Sequence, residues 1–376
     1  MSTSPWRPTR AEVDLGNIAH NVRLYADLIG PSCRIMAVVK ADGYGHGDIE
    51  VSRAALVGGA GRLGVVLVEE AERLREAGFE VPIHLLFEPP VSAAERVVEL
   101  DLTPSVYSTA YIKSLSDACT ETGKSIRVHL KLDTGMHRVG IEARAATEFA
   151  GKIASLPGLE LEGVYTHLAM GSEPEHPFNL KQWRTFQQAV KDIEQRGIPV
   201  PLRHVAASGA AVSFPESRLG MIRLGIAMYG LLPGKGFAGM LDLRPAMSLY
   251  TRISHVFNAQ EGEAVSYGLT HTFKEPTLVG VLPIGYADGF ARALSNRWQV
   301  LIAGKLYPMV GTICMDLCMV ELGRDRYPVG EAVTVIGGSG QEAIGVEAMA
   351  ERLGTINYEV VCGIGKRVPR LYSNGL

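Results

Sequence analysis

A (β/α)8 TIM-like barrel followed by a second, mostly-β C-terminal domain is the α/β fold class that this 376-residue chain predicts. Three observations carry it. Short apolar runs alternate with amphipathic segments over the first two thirds of the chain, those runs number eight, and the texture changes near Leu241-Asp242-Leu243-Arg244-Pro245. Strand–helix alternation implies parallel pairing with right-handed crossovers. Eight such units over about 230 residues match a closed barrel. An open doubly wound sheet is the competing architecture from pattern alone, but Gly43-Tyr44-Gly45-His46-Gly47 lacks the spacing of a nucleotide-binding first turn.

Val13 to Leu28 has apolar residues at helical spacing, with Asp14 as its N-cap. The eight strand candidates are Ile35–Val39, Leu63–Val68, Ile83–Phe87, Pro104–Val106, Val128–Leu132, Gly163–Thr166, Arg203–Val205 and Met221–Leu224. Between them Glu69–Ala77, Ala110–Thr122, Ala143–Ala154 and Asn179–Arg196 read as helices. Beyond the texture change, Ser248–Phe257, Thr277–Pro283, Val300–Ile302, Met309–Met315, Cys318–Leu322 and Ala332–Ile336 read as strands, and Gly345–Leu353 as a helix. The expected division is a barrel over 11–242 and a mostly-β domain over 243–376, with residues 1–10 associating with the second.

Composition narrows the function classes. A formal charge of −3 with no long basic or acidic run argues against nucleic acid and polybasic membrane contact, and for a small-molecule partner. No stretch is long and apolar enough to span a bilayer, and Met1 to Arg10 lacks the apolar segment of a signal peptide. Five sparse cysteines fit reduced thiols in a cytoplasm. Cys314 and Cys318 have no second ligand pair at matching spacing, so no metal site is expected.

Barrel active sites gather at the C-terminal ends of the strands. The predicted ends offer Lys40, Glu69 and Glu70, Phe87 and Glu88, Tyr107, Lys131, Asp133, Arg138, His167, Ser208 and Arg223. Taken alone, Lys40 reads as a lysine whose stem packs while its ammonium reaches water. An amine at an apolar strand end can also lose its proton by desolvation and form a Schiff base with a carbonyl. One lysine, one histidine, one serine and two arginines converging on one mouth suit an anionic cofactor that carries a carbonyl.

The stretch Ala37-Val38-Val39-Lys40-Ala41-Asp42-Gly43-Tyr44-Gly45-His46-Gly47 resembles the pyridoxal-phosphate (PLP) lysine motif of bacterial alanine racemases. Further matches follow at Lys131–Gly140, Thr166-His167, Ile222–Gly230, Val265–Gly268, Ile284–Gly289, Gly311–Asp316 and Ile356–Glu359, so the resemblance covers nearly the whole chain. It implies a cytoplasmic isomerase that interconverts L- and D-alanine by a two-base mechanism on a PLP external aldimine, supplying D-alanine for peptidoglycan. A serine or broad-specificity racemase of the same family is the alternative, and a PLP-barrel decarboxylase a further class.

By the same resemblance Lys40 is the PLP lysine and one base, while Tyr267 is the opposite-face base and reaches the site from the partner of a homodimer. Tyr44, His167, Ser208, Arg223, Gly225, Ile226 and Tyr358 fall on cofactor-binding positions. Arg138, Tyr286, Met315 and Asp316 fall on substrate-binding ones. Arg223 would face the pyridine nitrogen and keep it unprotonated, because a second positive charge beside a guanidinium is costly. His167 would tie Arg223 to Tyr267. Lys131 matches a lysine that some members carry as a carbamate, with an ordinary ion pair to Asp133 as the other reading. The chain departs from the family pattern at Asp42-Gly43 (usually Asn-Ala), at His137 (usually Gly) and at Ala207 (usually Asn).

Overall fold

The computed structural model describes residues 6–338 and 343–375. It divides into two compact units. One comprises Ile18–Gly43 and Asp48–Arg244; the other comprises the chain up to Asn17, Tyr44–Gly47 and the chain from Pro245 onward. The sequence-based boundary at residue 11 therefore differs from the compact unit, which starts at Ile18. The difference arises because Arg10–Asp14 is a strand of the second unit.

The first unit is a TIM-like barrel. Its strands are β1 (Arg34–Val38), β2 (Arg62–Val65), β3 (Ile83–Leu85), β4 (Thr103–Val106), β5 (Ile126–Asp133), β6 (Leu159–Tyr165), β7 (Leu202–His204) and β8 (Met221–Leu224). They pair in parallel in the order β8-β1-β2-β3-β4-β5-β6-β7. The ring is closed between β7 and β8 by Gly220 N–H to Arg203 O (3.2 Å) and Arg223 N–H to Ala206 O (3.0 Å). Each strand coincides with a predicted apolar run to within a few residues. The second run ends at Val65 rather than Val68, since Val68 opens the next helix.

The crossover helices follow from local sequence. In Thr109–Thr122, Tyr111, Ile112, Leu115, Ala118 and Cys119 bury one stripe. Ser108 caps it by accepting from Tyr111 N–H, and Gly123 ends it at φ +68°. Pro177–Gln195 begins with proline at its first turn and buries Trp183, Phe186, Ala189, Val190 and Ile193. The helix expected from Val13 begins at Leu15, where Asp14 accepts from Asn17 N–H at 3.0 Å.

The second unit holds a nine-stranded sheet, mostly antiparallel. Arg10–Asp14 pairs antiparallel with Met247–Arg252 and parallel with Arg370–Ser373. Ala259, Val265, Phe273, Val279, Val310 and Met319 form one buried cluster. Two strand expectations change here. Ser248–Phe257 is two strands, Met247–Arg252 and His255–Ala259, and the run through Met315 stops at Val310 because Gly311 turns with φ +74°. No helix among the described residues is long and apolar enough to cross a membrane.

Candidate active site at the barrel mouth

Lys40 directly follows β1 and Val39, half-buried at the C-terminal end of the barrel. The chain then runs left-handed: Ala41, Asp42 and Gly43 have φ of 54°, 54° and 59°, and Tyr44 continues at 53°. A left-handed residue bearing a Cβ costs roughly 1–2 kcal/mol, so the turn needs outside support. Glu70 supplies it by accepting from Ala41 N–H at 2.7 Å, while the same carboxylate accepts from Val66 and Leu67 N–H. The Asp42-Gly43 departure suits this geometry. Aspartate tolerates the left-handed region and glycine occupies it freely, and a Cβ at Gly43 would come within 3.2 Å of Asp48.

Arg223 is the best-braced side chain of the mouth. Its Nη1 donates to His204 Nδ1 at 2.9 Å and to His204 O. Its Nη2 contacts the Thr166 and Val205 carbonyls and His167 Nδ1 (3.0 Å). Its Nε–H has no protein partner among the described residues, and neither does any carboxylate meet this buried guanidinium. Burial lowers its pKa to about 10, leaving it cationic at neutral pH. Burial and the nearby Arg223 charge push His167 well below its usual value, so its imidazole is neutral. Because Nδ1 accepts from Arg223, the His167 proton is on Nε2.

Lys131, Asp133, Met136, Arg138 and His167 line one small cleft. Lys131 is 5 % exposed, its ammonium 4.6 Å from the Tyr165 ring centroid and 5.8 Å from that of Phe87. The alternative reading, an ion pair with Asp133, does not hold here. Asp133 instead accepts from Gly135 and His137 N–H. Burial, reinforced by Arg223 and Arg138, drops the Lys131 pKa to about 7. Arg138 stacks 5.2 Å over Phe87. His137 takes φ +53°, which explains why a glycine suits that position, and its ring lies open to solvent.

Ser208 opens the helix that follows β7 and is 3 % exposed. Its hydroxyl accepts from Gly225 N–H at 3.0 Å, and the adjacent Ile226 N–H has no protein partner among the described residues. A Cβ at Gly209 would lie 2.4 Å from Gly171 O, so the backbone there admits only glycine without a shift. This donor set suits an anionic group.

The remaining sequence-predicted residues belong to the second unit. Tyr44 and Tyr358 are 6.0 Å apart between ring centroids, and burial raises the phenol of Tyr358 to about 12. Tyr267 is 74 % exposed, on a turn fixed by Thr312 Oγ1 donating to Tyr267 O (2.7 Å) and Ser266 Oγ donating to Thr312 O (2.6 Å). Tyr286 N–H donates to Cys314 O and Ala287 N–H to Met315 O, which brings Tyr286 and Met315 onto neighbouring turns. Asp316 pairs with Arg367 at 2.7 Å. Glu88, a predicted strand-end carboxylate, caps the Ser108 turn instead by accepting from Tyr107 and Ser108 N–H. Sequence reading missed His204, the nearest partner of Arg223. The signal for it was a histidine on a barrel strand neighbouring the one that carries Arg223.

A β/α barrel with a lysine at its mouth and a buried arginine that no carboxylate among the described residues meets, linked to a β-rich unit, defines a two-domain enzyme of the lysine-centred barrel class. Residues 13–233 match the family profile "Alanine racemase, N-terminal domain" and residues 246–372 "Alanine racemase, C-terminal domain". The chain is 42 % identical over 368 residues to an alanine racemase of Desulfovibrio desulfuricans, covering 97 % of this chain and 98 % of that one. It is 40 % identical to one of Methanococcus maripaludis, covering 97 % and 98 %. Among solved structures, the alanine racemase of Bacillus anthracis with bound L-Ala-P superposes with a TM-score of 0.93 at 36 % identity, covering 99 % and 96 % of the two chains. The chain belongs to the alanine racemase family, and so to the amino-acid racemases.

Proposed function

We propose that this protein interconverts L- and D-alanine with pyridoxal 5'-phosphate held on Lys40, working in the cytoplasm and supplying D-alanine for peptidoglycan. The observation that carries the reading is Arg223, a buried guanidinium held by two imidazoles and three carbonyls, with no carboxylate beside it and no partner for its Nε–H among the described residues. Such a group keeps a facing pyridine nitrogen unprotonated, which favours racemase over decarboxylase chemistry. The donor set at Ser208, Gly225 and Ile226 suits the phosphate, and Tyr44 and Tyr358 complete its contacts in this assignment.

When bound, pyridoxal phosphate is an electron sink that makes the Cα proton of an amino acid removable. Racemisation then needs one acid/base group on each face of Cα. Lys40 removes or returns the proton on one face and Tyr267 on the other. Tyr267 comes from the partner of a homodimer with shared sites. Its exposure, together with exposed Leu269, Met315, Leu317 and Tyr286, supports an apolar surface for that partner. His167 keeps its Nε2–H available to the tyrosine. Arg138 holds the substrate carboxylate, with Met315 and Asp316 from the partner. Tyr286 narrows the entrance. The depressed pKa of Lys131 leaves a neutral amine able to take up carbon dioxide as a carbamate, whose negative charge would orient Arg138. In this reading the barrel domain ends at residue 242 and the mostly-β domain runs over 243–376.

The test is a racemisation assay on the purified protein with alanine and serine in parallel, alongside visible absorption. Alanine should be preferred, and Lys40→Ala should abolish the absorption of the lysine-held cofactor. Tyr267→Phe should retain the cofactor while losing proton exchange on one face. Faster turnover of serine would replace alanine as the substrate, and a surviving band in Lys40→Ala would move the cofactor to another lysine.

A further inference from the structure

Barrels of this kind are ordinarily filled by layers of branched apolar side chains. Here a continuous polar line crosses the interior. Arg223 Nη1 lies 2.9 Å from His204 Nδ1, His204 Nε2 lies 2.8 Å from His129 Nδ1, and His129 Nε2 lies 2.8 Å from Glu162 Oε2. Arg62 closes the far end with two 2.7 Å contacts to the Glu162 carboxylate. Both imidazoles are fully buried, and Arg62 and Arg223 nearly so.

The backbone is shaped around this line. The pairing of β5 with β6 skips Glu162: Val128 faces Leu161, and His129 faces Gly163. A bulge of this sort re-aims a side chain. A Cβ on Gly163 would lie 2.9 Å from the His129 ring, so the glycine is what makes room for it.

Donor and acceptor chemistry fixes every proton along the line. A guanidinium only donates and a carboxylate only accepts. His204 Nδ1 must therefore accept, leaving its proton on Nε2. That N–H donates to His129 Nδ1, whose own proton lies on Nε2 and goes to Glu162. Reversal would set His204 Nδ1–H against a guanidinium N–H across 2.9 Å.

We propose that Glu162 is a positioning residue for Arg223, acting through His129 and His204 to hold both imidazoles as Nε2–H tautomers. The anion at one end and the cation at the other permit one polarity, and that polarity keeps the guanidinium turned with its Nε–H free. The proposal rests on the role given to Arg223 above. Burial keeps both imidazoles neutral. For Glu162, burial opposes ionisation, but hydrogen bonds from Arg62 and His129 overcome it and hold the carboxyl well below its usual range. The other groups facing the line are His84, 4.6 Å from His129 between ring centroids, Tyr165, stacked 4.4 Å from His204, and Arg127, 3.9 Å from Glu162.

The test reads tautomers directly, by long-range proton–nitrogen NMR on the holoenzyme labelled at histidine. In the parent, His129 and His204 should both be neutral with the proton on Nε2; a proton on Nδ1 of either overturns the proposal, whatever the variants do. With the anion gone, Glu162→Leu should let Arg223 turn away from His204 and the line reverse in part, which mixes the tautomers, shifts the visible band and lowers kcat about tenfold with little change in KM. Arg62→Met/Glu162→Gln keeps an acceptor for His129 without the ion pair, and should restore the parent tautomers and much of kcat. Loss of kcat in both variants with parent tautomers throughout would assign Glu162 to fold stability alone and overturn the proposal. Parent tautomers in a protein that binds no pyridoxal phosphate would sink the functional reading instead and leave the polarity of the line standing.

Discussion

Replacing Lys131 with methionine should change how stability depends on pH, and the size follows from the structure. The Lys131 ammonium is 5 % exposed and lies over the Tyr165 and Phe87 rings. Burial, then Arg223 and Arg138, lower its pKa from 10.5 to about 7, while Asp133 raises it a little and Lys40 lowers it a little. A lysine whose folded pKa is depressed binds fewer protons folded than unfolded between those two values. Stability therefore rises with pH through that window and is lost as pH falls toward 7. At about 1.4 kcal/mol per pH unit, and with the folded amine half-protonated at pH 7, the gain between pH 7 and pH 9 is about 2 kcal/mol. Lys131→Met keeps the length of the side chain and removes the titration. Urea unfolding of parent and variant at both pH values, in buffer stripped of carbon dioxide and with equal saturating cofactor, isolates this group from others that titrate nearby. The parent should gain about 2 kcal/mol more than the variant, and the variant should be the more stable of the two at pH 7. Equal gains in both proteins, or a variant weaker at pH 7, would refute the placement of Lys131 as a desolvated amine among cations.

Three further outcomes test the geometry. Glu70→Ala removes the acceptor of three backbone N–H groups, Ala41's included; it should cost about 2 kcal/mol and slow borohydride fixation of the cofactor on Lys40, whereas Glu70→Gln should retain most of both. Ser208→Ala strands the Gly225 N–H and should raise the apparent Kd for pyridoxal phosphate about tenfold, read by fluorescence titration. Gly45→Ala places a Cβ 2.4 Å from Val361 O at φ +79° and should cost about 3 kcal/mol or more in chemical denaturation. Gly78→Ala, at φ +86° with open space around it, should cost only about 1 kcal/mol, and equal losses at the two glycines would show that steric approach contributes nothing.

Much of the barrel was legible because its strands are buried on both faces and read as short apolar runs set against amphipathic helices. Val346–Leu353 was legible for the same reason, since its stripe is local. The failures have local causes too. Met309–Met315 reads as a strand through its apolar residues, but Gly311 turns left-handed and ends the pairing at Val310. Val13 fits a helical period, yet strand partners on both sides of Arg10–Asp14 override it. Lys131 and Asp133 lie two apart on one face of a strand, which allowed an ion pair as the alternative reading of Lys131. The backbone N–H groups of Gly135 and His137 reach Asp133 and take the carboxylate.

The sequence by itself determined the two-part architecture, the strand-end address of Lys40 and the family. These depend on periodicity and on motifs contiguous in the chain, which tertiary contacts do not rearrange. Only the tertiary structure decided the left-handed turn after Lys40 and the Glu70 carboxylate that supports it, residues 29 positions from Ala41. It also decided the line from Arg223 through His204 and His129 to Glu162, whose members come from β8, β7, β5 and β6. Hydrogen bonds across the interior of a closed barrel join residues far apart in sequence. No single segment encodes the direction in which their protons point.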